Sequence, residues 1–111
     1  MRAKWVVPVL MLAGCVTLPP LTQGQLSATT EKWPGTDLAQ LQEGRGLYKT
    51  RCNKCHPLMT PARLRKESWP DVFEEMTDNA KLTPTEKDRV EHFLWALTLE
   101  LPDGGAPVEQ L

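Results

Sequence analysis

Histidine is scarce in this chain, with two among 111 residues, and the three cysteines are an odd number. With so little histidine, no acid/base pair with a third orienting group can be drawn from the sequence, and acyl-transfer or hydrolytic chemistry has no visible machinery. Three cysteines cannot make a disulfide framework, so they call for another use. Long apolar runs are missing too. The stretch Trp5 to Leu12 carries a proline and falls well short of the ~20 residues a membrane span needs. Nor is there a basic excess, with 13 Lys and Arg against 14 Asp and Glu, which argues against a nucleic-acid partner.

What is present begins with a leader. Arg2 and Lys4 precede the short apolar run, and Leu12-Ala13-Gly14-Cys15 closes it. A charged start, a short apolar middle and small residues at the end make a secretory signal. The Leu-Ala-Gly-Cys ending resembles the lipobox of bacterial lipoproteins, which implies that residues 1–14 are removed and Cys15 is lipidated. Acyl chains on one residue give stable anchoring where a single chain gives only marginal binding. Val16 after the cysteine resembles the outer-membrane sorting pattern, which implies the periplasmic side of the outer membrane. Losing Arg2 and Lys4 leaves 11 basic against 14 acidic residues, a net charge of about −3.

The other two cysteines lie in Cys52-Asn53-Lys54-Cys55-His56. Cys-x-x-Cys-His is the attachment pattern of c-type haem. Two thiols at this spacing add to the two vinyl groups on one porphyrin edge, and the following imidazole is held under the iron as proximal ligand. Without His56 the pair would read equally well as a redox dithiol or half a zinc site. Export agrees with the motif, because bacterial c-type haem is attached outside the cytoplasm. All three cysteines then have a use: Cys15 for lipid, Cys52 and Cys55 for one covalent haem c.

Residues 15–36 are rich in Thr, Pro, Gly and Gln without helical period, and read as a lipid-anchored flexible tether. Such a tether has an end-to-end distance of about 25 Å and would let the domain swing between partners. Residues 102–111 read as an unstructured tail, which leaves 37–101 for one all-α domain of about three helices packed around the haem. So small a core needs the porphyrin as its apolar centre, and without it the chain is expected to be largely unfolded. The first helix starts at an Asp37/Gln40 cap, buries Leu38, Leu41, Leu47 and Tyr48, and carries Gly44 and Gly46 within it. The second starts at a Ser68 cap and turns Trp69, Val72, Phe73 and Met76 to one face. The third starts at the Thr83/Glu86 capping box with Pro84 in its first turn and carries Val90, Phe93, Leu94, Leu97 and Leu101.

This arrangement resembles the small mono-haem class I cytochromes c. Gly44 and Tyr48 stand eight and four residues before the first haem cysteine, and Phe93-Leu94 matches the aromatic-leucine pair of the family's last helix. The resemblance implies that Phe93 crosses the first helix at Gly44. For the sixth iron ligand the candidates are Met59, Met76 and His92. Met59 is only three residues from His56, about 10 Å at full stretch, which is too short a path around the porphyrin edge. His92 beside Phe93 points to solvent or along the haem edge. Met76, on the apolar face of the second helix, is the expected sixth ligand. Pro57 departs from the family, which often has a small residue after the proximal histidine. Pro61 is expected to bring a carbonyl to the second nitrogen of His56.

His/Met ligation fills both axial positions and suits one-electron transfer. The expected function is therefore a membrane-tethered electron carrier, not an enzyme, exchanging electrons with redox partner proteins. The alternatives are a haem-based small-ligand binder or sensor, and a haem subunit of a larger oxidoreductase.

Overall fold

The computed structural model describes residues 17–102 and 105–109. The leader 1–14 and the lipidation candidate Cys15 lie outside them. The described residues form five α-helices: α1 (Gln23–Lys32), α2 (Leu38–Arg51), α3 (Pro61–Lys66), α4 (Trp69–Asn79) and α5 (Pro84–Thr98). A 3-10 turn, Cys52–Lys54, follows α2 directly. Among the described residues the one β feature is an isolated antiparallel bridge between Thr22 and Pro107.

The caps that start α2 and α5 are those the sequence carries. Asp37 accepts from the Gln40 amide at 2.9 Å while Gln40 reaches back to the Asp37 amide. Thr83 and Glu86 make the same reciprocal pair, with Pro84 in the first turn. These two helices form the main contact of the fold. Gly44 marks the crossing: a Cβ there would overlap the Arg89 carbonyl oxygen and lie 2.7 Å from the Phe93 Cβ. Only hydrogen at this position lets α5 come so close. Gly46 has nothing within 4 Å of where a Cβ would be, so it is simply tolerated on the outer face.

Five helices stand where three were expected. Both additions start from signals of a familiar kind. Thr22 with Gln25 is a complete capping box, and Thr60 caps α3 with Pro61 in its first turn. The second expected helix keeps its place but not its cap. Ser68 adopts φ 52°, makes no side-chain cap, and accepts the Asp71 amide through its backbone carbonyl at 2.9 Å. Val72 leaves the apolar face and is exposed, while Trp69, Phe73 and Thr77 are buried. α5 ends at Thr98, short of Leu101.

The larger correction concerns the two flanks. From residue 17 onward the expected tether is folded. Leu18 and Leu21 are buried, α1 packs on α5, and Gln25 Nε2 donates to the Leu97 and Leu99 carbonyls. The expected free tail is folded over 105–109. Gln23 donates to the Ala106 carbonyl and Val108 to the Leu21 carbonyl, both at 2.9 Å. One ion pair fastens both flanks. Glu109, with 2% of its side chain exposed, pairs with Arg45 of α2 and accepts from the Leu21 amide at 2.7 Å. Arg45 also donates to the Pro19 carbonyl at 2.8 Å and lies 4.9 Å from the Phe93 ring centroid. Polar composition hid these segments, because they are held by a buried charge pair and by scattered apolar residues such as Leu18 and Leu21 that follow no helical period.

Candidate functional site

α2 delivers the Cys-x-x-Cys-His motif without a break. The Cys52 amide donates to the Tyr48 carbonyl as the helix cap, and Cys52–Lys54 tightens into the 3-10 turn. Arg51 at the end of α2 donates to Glu86 in the first turn of α5 at 3.0 Å, which pins the turn against the start of that helix. On the other side the Tyr48 hydroxyl accepts from the Met59 amide at 3.1 Å and donates to the Met59 carbonyl at 3.3 Å. Tyr48 thus ties the segment after His56 back onto α2. Met59 is bound through its backbone, and its side chain packs on the core.

Cys52, Cys55, His56 and Met76 line one cleft of about 80 Å³, with Arg51, Asn79 and Ala80 completing it. These four expected site residues are therefore brought together. Arg51, Cys55, Asn79 and Ala80 also border a wider hollow of about 380 Å³ that includes Lys54 and Lys81. The enclosed part alone is below the ~300–1,000 Å³ of ordinary cofactor pockets, and the wider hollow brings the space into that range. The position of α4 explains the opening. Its main helix contact is with α3, and it does not close on α2.

The donor chemistry fits an iron porphyrin. His56 Nδ1 lies 2.8 Å from the Pro57 carbonyl oxygen. A carbonyl only accepts, so Nδ1 carries the proton and Nε2 keeps its lone pair for a metal. Pro57, and not Pro61, supplies this orienting contact, because the chain bends sharply at His56 and brings the next carbonyl onto the ring. Both cysteines are free thiols. Burial pushes the Cys52 thiol up to about 11, with the neighbouring Cys55 adding to the shift. A redox-active Cys-x-x-Cys needs the opposite, a thiol lowered toward neutrality. Among the described residues no group of three or more His, Cys, Asp or Glu side chains is arranged to hold a metal ion, so a four-ligand zinc site has no ligand set.

His92 is taken up elsewhere. Its ring stacks on Trp33 with centroids 4.0 Å apart and an interplanar angle of 20°, and Trp95 meets Trp33 edge-on at 5.4 Å. This cluster joins α5 to the end of α1, so the sequence expectation of a solvent-facing or haem-edge histidine gives way to a packed one. The partner Trp33 sat in the segment read as tether, which is why the sequence did not reveal the stack.

No protein-family model, curated protein or solved structure matches this chain.

Proposed function

We propose that the chain is a small class I cytochrome c with one covalent haem, carrying single electrons between respiratory or dehydrogenase partners. In this reading it is lipid-anchored through Cys15 on the periplasmic side of a bacterial outer membrane. The observation that carries the proposal is the meeting of Cys52, Cys55, His56 and Met76 on one cleft, with the His56 Nε2 lone pair free. The cytochrome c-like fold belongs to the same proposal and is supported by the contact of α5 with α2 at Gly44.

Cys52 and Cys55 would hold the haem as thioethers, and His56 and Met76 would supply a nitrogen and a sulfur to its iron. The haem supplies a one-electron iron couple there. The protein's own residues prepare that role. Pro57 holds the Nδ1 proton of His56, which fixes the tautomer and orients the ring. Tyr48 clamps the backbone beyond it. With His56 and Met76 both assigned to the iron, the reading is of a carrier and not an enzyme. The raised Cys52 thiol weighs against a dithiol redox protein.

The test is an optical spectrum of the exported, matured chain with and without Met76→Ala. A ferric His/Met haem shows a sulfur-to-iron charge-transfer band at the red end of its spectrum. The band should be present in the parent chain and absent from the variant. Persistence in Met76→Ala would discard Met76 as ligand. Prompt carbon monoxide binding by the reduced parent chain would favour the small-ligand sensor. Bare thiols at Cys52 and Cys55 in the mass spectrum would remove the haem reading altogether.

A further inference from the structure

We infer that the anchored domain is held close to the bilayer, within a short bounded distance, and does not swing on a long leash. The inference rests on the lipid-anchor reading of Cys15 and asks what the fold then does with that anchor. Folding reaches almost to the anchor. Leu18 is 4% exposed and Leu21 fully buried. Between Pro19 and Gln23 the backbone is held at four points: Pro19 by Arg45, Leu21 by Glu109 and by Val108, and Gln23 by Ala106. These holds come from α2 and from the C-terminal segment, so they tie the start of the mature chain to the body of the domain.

The lengths decide the matter. From Cys15 to Pro19 the chain can extend about 14 Å at most. Pro19 is bound by Arg45, and α2 advances about 10 Å from Arg45 to Cys52. Allowing for the arginine side chain, the haem-attaching thiols stay within roughly 30 Å of the lipidated residue. A free chain over 15–36 would reach roughly 75 Å at full stretch. The partner that fits is therefore a redox protein in or on the same membrane, presenting its electron-exchanging group close to the bilayer surface. A partner whose group stands far above the membrane would be out of reach.

The experiment uses the exported, haem-loaded chain in vesicles whose lipid headgroups carry a coumarin donor. Energy transfer to the haem reports its height. Mass spectrometry of the same sample reads the acyl chains on Cys15. The comparison chain carries a Gly-Ser spacer of about 20 residues between Val16 and Thr17, which has an end-to-end distance of about 25 Å. The parent chain should transfer at least twofold more efficiently than the spacer chain, and Glu109→Lys should fall toward the spacer value. Acylated parent chain with spacer-like transfer overturns the bounded height alone. A bare Cys15 overturns the anchor reading and this inference with it. Amide exchange of Leu21, Gln23 and Val108 in the parent chain keeps the claim testable should Glu109→Lys not fold. Protection is expected, and exchange at the rate of an unstructured chain overturns the claim.

Discussion

Where α2 crosses α5, Leu41, Phe93 and Leu94 have no exposed surface, and a glycine lets the backbones touch. Just past the end of the same helix, Cys52 and His56 are half-buried, Cys55 is exposed, and Met76 lines the same cleft. The first region is closed by protein atoms alone. The second is lined but not filled. The contrast teaches that the small core is divided: one part packs to completion, and the other leaves the motif side chains and Met76 around a cleft. It also narrows the expectation that the chain without haem is largely unfolded, because the α2/α5 crossing has its own buried contacts.

The sharpest way to break that comparison is to remove the two thiols to which the proposed haem would attach. In Cys52→Ser with Cys55→Ser, amide exchange should show protection lost across α4 and residues 57–60 and retained at the α2/α5 crossing. Uniform loss of protection would show that the crossing also depends on the proposed haem. Next in size is the buried pair. Glu109→Gln strands Arg45 and should cost about 3–5 kcal/mol, read by urea unfolding, while Arg45→Met with Glu109→Leu should recover most of it. The two glycines of α2 should then differ in sign. Gly44→Ala should destabilise by about 1–3 kcal/mol or more through overpacking, and Gly46→Ala should stabilise by about 1 kcal/mol. Equal effects at the two sites would mean that the crossing is not tight.

The smallest effect is a pH dependence. Burial lowers the His92 pKa from its ordinary value, partly opposed by Asp88 and Glu91 and reinforced by Arg89. The unfolded chain then takes up a proton near pH ~6.5, where folded His92 does not. Its contribution to stability is complete above that pH and declines as the pH falls through the lower, folded pKa. Thermal unfolding between pH 7 and 5 should show this decline, and His92→Gln should flatten it.

Much of the site was legible because its signals are local. The spacing of Cys52, Cys55 and His56 is a property of five consecutive residues, and the caps at Asp37 and Thr83 act within one helical turn. Gly44 announced a close approach because a mid-helix glycine costs stability unless a neighbour uses the space. The Thr22/Gln25 box was legible as well, but a helix whose outer face is polar and whose inner face buries Thr29 shows no apolar stripe. The Ser68 cap misled because Ser68 enters the helix through the left-handed region, at φ 52°, and its side chain makes no cap.

By itself the sequence determined the spacing of the motif, the helical character of the chain and the start of its two principal helices. Those follow from neighbouring residues acting over a few ångströms. Only the tertiary structure decided that the flanks belong to the fold. Glu109 must travel back across 64 positions to meet Arg45, and Trp33 must find His92, before either segment has a reason to be ordered. No local pattern encodes such a meeting. It exists only because the buried arginine needs a counter-charge and the stacked rings need a neighbour, and the closed core puts both within reach.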